Sequence, residues 1–182
     1  FALERSAGLA AVGIFSTSVA LAEVMWIPTS SLAVMTLNRV SRSGSSPDTR
    51  AFVLRMTRMA LVTMLVVAAV AAVVPVGGIT VLLGKDFAPV RSQLLRLLPG
   101  VISLGMAVVA SSYNAGQGQY SRNLVAAMVG LLPTALGFVL LVPRLGSGGA
   151  LLAMNASYIV ISGWLLLGMA RSERARFAEF IP

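Results

Sequence analysis

Neither cysteine nor histidine occurs among the 182 residues. Disulfides, thiolate metal sites, imidazole proton relays and histidine-based catalytic triads are therefore excluded. Most routes to enzyme chemistry close with them, and the expectation is a protein without catalytic activity, metal or cofactor. Charge is scarce as well, at 11% of residues, with only 6 acidic side chains. Aromatics reach 7%, too few to stack bases beside the basic residues, which fall between apolar runs. The net charge of +8 thus does not read as nucleic-acid binding.

What is abundant is apolar. Hydrophobic residues make up 57% of the chain and the mean hydropathy is +0.88, too apolar for a water-soluble domain. An all-α membrane protein is expected. The sequence starts at Phe1 without a basic leader or a cleavage signal. No secretory signal peptide is expected there, and further chain is expected upstream.

A helix needs about 20 apolar residues to cross the hydrocarbon core. Five uncharged or nearly uncharged runs meet that need, at about residues 11–38, 59–76, 97–113, 123–142 and 150–170. They predict a single transmembrane helical domain over residues 1–182. The first run carries Pro28 in its second half, where a kink is expected. Pro75 with Gly77 and Gly78 ends the second, and Pro133 marks a kink in the fourth. Residues 39–58, with Arg39, Arg42, Arg50, Arg55 and Arg58 around Ser43-Gly44-Ser45-Ser46-Pro47-Asp48, read as a solvated loop. Residues 171–182 read as a polar tail.

Lys and Arg are retained on the cytoplasmic side of membranes. Nine fall on the side of residues 39–58, Arg122 and the tail, against five on the side of Arg5, Lys85, Arg91, Arg96 and Arg144. The chain is therefore expected to start outside and end inside. The bilayer is its first partner.

Polar residues within the spans are the functional candidates. Glu23 is a carboxylate inside an apolar run, where an ionised side chain costs roughly 2.5–3.5 kcal/mol and ordinarily faces a polar cavity or a partner. Ser16, Glu23 and Ser30 recur at seven-residue spacing, which keeps them near one helix face. In the last run Asn155, Tyr158 and Ser162 share a face by the same reasoning. These six are the candidate cavity residues. The bland reading of the serines is bonding to backbone carbonyls, and that of Asn155, Tyr158 and Ser162 is hydrogen bonding between helices.

The order of short motifs carries one more reading. Ala11-Val12-Gly13-Ile14-Phe15, Ile27-Pro28, Leu82-Leu83-Gly84-Lys85-Asp86-Phe87-Ala88-Pro89, Leu97-Leu98-Pro99-Gly100, and Val142-Pro143-Arg144-Leu145-Gly146 leading into Ala153 occur in succession. Taken together, the chain resembles the C-terminal half of bacterial polysaccharide flippases of the multidrug/oligosaccharidyl-lipid/polysaccharide exporter superfamily. The resemblance implies about five helices of the second six-helix bundle in a twelve-helix, MATE-like transporter with both ends cytoplasmic. It implies as substrate an undecaprenyl-diphosphate-linked oligosaccharide, moved by alternating access for polysaccharide biosynthesis. It also implies the missing N-terminal half of the same chain as a partner, with the diphosphate-binding cations on that half or at the cavity mouth. Two rivals remain. A cation-coupled multidrug exporter of the same superfamily would use Glu23 for coupling, and a membrane-embedded enzyme of the same pathway would need reactive groups in its loops.

Overall fold

The computed structural model describes residues 2–44, 46–73 and 76–178, with side-chain surroundings between residues 8 and 171 apart from 45, 74–77, 79 and 82. Every element among the described residues is helical: α1 (Ala2–Val24), α2 (Ile27–Ser43), α3 (Pro47–Val73), α4 (Val76–Leu83), a 3₁₀ turn at Lys85–Phe87, α5 (Pro89–Gly116), α6 (Tyr120–Leu140), the short α7 (Val142–Leu145) and α8 (Ser147–Ala178). Among the described residues four helices are long and apolar enough to cross a membrane, and the bent pair α1–α2 makes a fifth when its two pieces are counted as one span. This is the build of an all-α, multi-pass membrane protein.

The first span is a broken one. Pro28 lacks the N–H that would donate to Val24, so the helix tightens and stops before it. Met25 N–H donates to Ala22 C=O at 3.2 Å and Trp26 N–H to Glu23 C=O at 3.4 Å, both at three-residue spacing. The chain restarts at Ile27 with Pro28 in the first turn, where a missing N–H is harmless. The two pieces, Gly8–Val24 and Ile27–Ser43, meet at 43°. The expected kink within one helix over residues 11–38 is thus a break at Met25-Trp26, just beyond Glu23.

The arginine segment differs from expectation too. Of residues 39–58, read as a loop, most are helical: α2 runs through Arg39 and Arg42 to Ser43, and α3 starts at Pro47 and takes in Arg50, Arg55 and Arg58. Gly44 closes α2 with positive φ (58°), its N–H bonded to Val40 C=O. Ser46 opens α3, its Oγ accepting the Thr49 N–H at 3.1 Å. Pro47 follows in the first turn and Asp48 faces the positive helix end. Ser46→Ala should cost about 1 kcal/mol of stability, read as earlier thermal unfolding of the purified protein in micelles. Residues 171–178 likewise extend α8 where a tail was expected. Pro75, expected to help end the second span, lies outside the described residues.

α5 is the central helix. Of its apolar stretch, 44% is buried, against 17% for α6, and α8, α2, α3 and α1 all pack on it. Leu94, Leu97 and Val101 join Ala22 of α1, Met25 of the break, Met64 of α3 and Leu151 of α8 at one end of the bundle. Tyr113 and Ala110 join Val40, Val53, Ala126 and Leu165 at the other. In lipid the hydrophobic effect does not drive helices together, so close approach between small residues has to. On α6, Gly130 faces Ile161 and Gly137 faces Ala153. Gly137→Leu should weaken the α6–α8 contact by roughly 1–3 kcal/mol, seen as a lowered unfolding temperature. The opposite face of α6 exposes Leu124, Met128, Leu132, Leu136 and Val139 to the bilayer.

Candidate functional site

The six polar candidates separate into two groups. Ser16 and Glu23 lie on an exposed face of α1. Gly13 and Ala20 are exposed on the same face, so small and polar residues follow one another at steps of three and four, the spacing of one helical stripe. Gly13 and Ala20 escaped a reading based on polar residues alone. Their signal was present in the 3.6-residue period.

No side chain among the described residues hydrogen-bonds or ion-pairs with Glu23, although it is close enough to Tyr158 to interact with it electrostatically. Tyr158 is half-buried and packs beside the cluster around Leu97, Val101 and Leu151. It therefore sits where α1, α5 and α8 meet. Ser30 is half-buried in the first turn of α2, beyond the 43° break. The seven-residue stripe is consequently continuous only from Ser16 to Glu23. A carboxylate on an open face is costly against lipid, so this face calls for water, a polar ligand or another helix.

The bland reading holds for many of the hydroxyls. Thr17 donates to Gly13 C=O, Ser18 to Ile14 C=O and Thr36 to Leu32 C=O, each within its own helix. Ser162 is buried and donates to Tyr158 C=O at 2.6 Å. Among the described residues no carbonyl accepts from Ser16 or Ser30, which leaves both hydroxyls available.

Asn155 is fully engaged. Its Nδ2 donates to Arg96 C=O at 2.8 Å and to Leu151 C=O at 3.1 Å, while its Oδ1 accepts the Gly100 N–H at 2.8 Å. It therefore ties α8 to α5 and has no donor left for a ligand. Ser162 thus fits a structural part better than a cavity-lining one, whereas Asn155 both ties the helices and borders open space.

An open groove of about 510 Å³ runs between α5 and the start of α8, lined by Arg96, Leu145, Gly148, Leu151, Leu152 and Asn155 itself. Hydropathy had left Arg96 ahead of the third span. The helix in fact begins at Pro89 and holds Arg96 on its exposed side. The Arg96 guanidinium meets no side-chain partner among the described residues, and it puts one cation at the groove's edge. No cluster of three or more acidic, His or Cys side chains suited to a metal occurs among the described residues. No family model, no curated protein and no solved structure matches the chain.

Proposed function

We propose that this chain is the C-terminal part of a membrane flippase that moves undecaprenyl-diphosphate-linked oligosaccharide across the bacterial inner membrane by alternating access. The observation that carries the reading is the face of Gly13, Ser16, Ala20 and Glu23. It is small, polar and unpacked in a chain otherwise built for lipid contact. Such a face suits a hydrated cavity shared with the other half of the transporter, in which a sugar finds hydrogen-bond partners it would lose in hydrocarbon. The motif order that resembles the flippases supports the same reading. Arg96 supplies a cation for phosphate at the groove mouth.

The direct test is reconstitution of the full-length protein in proteoliposomes with a fluorescent lipid-linked sugar. Protein-dependent loss of the outer-leaflet signal is the expected result. Drug efflux driven by Na⁺ or H⁺, with no lipid-linked sugar movement, would favour the multidrug exporter, for which the unpartnered Glu23 is the specific supporting observation.

Orientation is tested separately. In the Cys-free chain, a single cysteine at Ser147 should react with a membrane-impermeant thiol reagent in intact cells, and one at Ser43 should react only after lysis. Labelling in the reverse pattern would invert the proposed topology.

A further inference from the structure

A proline inside a helix deprives the carbonyl four residues earlier of its donor, and its ring pushes the preceding turn open. Pro99 lies inside α5 and Pro133 inside α6. Between these helices runs α8, which packs on both. At each proline one α8 side chain reaches the disturbed turn. At Pro99 it is Asn155, which donates to Arg96 C=O at 2.8 Å and accepts from Gly100 N–H at 2.8 Å. Arg96 and Gly100 are four residues apart, so these two groups are each other's partners in a regular α-helix. The carboxamide bonds to both.

At Pro133 the α8 residue is Ser157. Its Oγ donates to Gly130 C=O at 2.6 Å, in a buried position, and Thr134 Oγ1 adds a weaker bond to the same carbonyl at 3.3 Å. Gly130 stands three residues before Pro133, just as Arg96 stands three before Pro99. Both contacts need a bare backbone. A Cβ on Gly100 would lie 2.6 Å from Asn155 Oδ1, and one on Gly130 3.3 Å from Ser157 Oγ. Asn155 and Ser157 are two residues apart, about 200° around the helix, so each faces a different neighbour. Among the described residues no side chain of another helix bonds to the break between α1 and α2. There Trp26 C=O takes its side-chain bond from Thr29, in the same segment, at 2.6 Å.

We propose that α8 is a pin. Asn155 and Ser157 brace the turns at Pro99 and Pro133, so that α5, α6 and α8 move as one block and bending is left to the elbow at Met25-Trp26. The inference concerns how the fold moves, and it holds whichever substrate is carried.

Hydrogen–deuterium exchange of the full-length protein in nanodiscs tests the pin. Asn155→Ala should raise exchange over residues 97–103 roughly three- to tenfold, the worth of about one hydrogen bond. Ser162→Ala, whose hydroxyl bonds only its own helix, should leave that segment unchanged. The decisive comparison adds Pro99→Ala, which returns an N–H to Leu95 C=O and removes the ring that crowds the turn, so that Gly100 N–H can pair with Arg96 C=O without the carboxamide. In that background Asn155→Ala should no longer raise exchange. An equal rise in both backgrounds would show that Asn155 only fills space, and would overturn the pin. If Asn155→Ala does not fold, Ser157→Ala with and without Pro133→Ala repeats the comparison at α6 after loss of a single oxygen atom.

Spin labels in the Cys-free chain test the block. The Met128–Ile159 distance between α6 and α8 should be a single narrow population, and Ala20–Ile159 across the elbow a broader one. A broad Met128–Ile159 distribution would refute the rigid block.

Discussion

Gly149→Ala, the addition of one methyl group, should destabilise the protein toward the upper end of the roughly 1–3 kcal/mol range for overpacking. A Cβ there would lie 2.5 Å from both C and O of Leu141 and 2.9 Å from Val142 N. Those are backbone atoms at the α6–α7 corner, which cannot rotate away as a side-chain tip can. To make room, the first turn of α8 must lift off Leu141. The corner is also anchored by Val142 and Ala150, both fully buried against Val12, Phe15 and Phe138, so the displacement would spread to α1. Gly163→Ala and Gly168→Ala are the matched controls. Both positions lie inside α8 with open space around them, and alanine there should be neutral or up to about 1 kcal/mol stabilising. Unfolding in micelles, followed by the fluorescence of Trp26 and Trp164, would measure all three. Equal midpoints for Gly149→Ala and Gly163→Ala would show that the corner yields more easily than its backbone contacts suggest.

The second large effect is functional. Glu23→Gln in the full-length transporter should lower translocation of lipid-linked sugar about tenfold, the equivalent of about one charge-assisted hydrogen bond. Membrane expression should hold or improve, because a neutral amide is cheaper to insert than a carboxylate. The separation of the two readouts is the point. A residue that merely supports folding would reduce both together, whereas Glu23 is exposed and lies outside the buried clusters. Tyr158→Phe is the informative companion, since it removes the hydroxyl near Glu23 and keeps the ring against the Leu97 cluster. It should have the smaller effect on transport and leave stability nearly unchanged. Wild-type translocation by Glu23→Gln would take this carboxylate out of the cavity.

The membrane class and the approximate position of each span were legible in the residues alone. A long apolar run reports its surroundings by composition, and lipid asks only for enough apolar length. Helix ends were less legible, because charged turns remain helical after leaving the hydrocarbon. α3 starts at Pro47, before three of the five arginines that hydropathy assigns to a loop, and α2 holds the other two. The Ser46-Pro47-Asp48-Thr49 cap was nevertheless readable in those residues. Pro28 was visible as a disturbance, but whether it kinks or breaks a helix depends on how Met25 and Trp26 pack.

Roles of polar and small residues needed the fold. Asn155 and Tyr158 look alike as members of one polar stripe, yet Asn155 bonds to the turn at Pro99 while Tyr158 packs on the Leu97 cluster. Gly148 and Gly149 are neighbours in one turn-forming run, yet only at Gly149 would a Cβ run into another backbone. Burial in lipid is a property of a segment and can be read along one dimension. A hydrogen bond or a close contact between helices depends on two distant positions at once, and their meeting is set by how the helices cross.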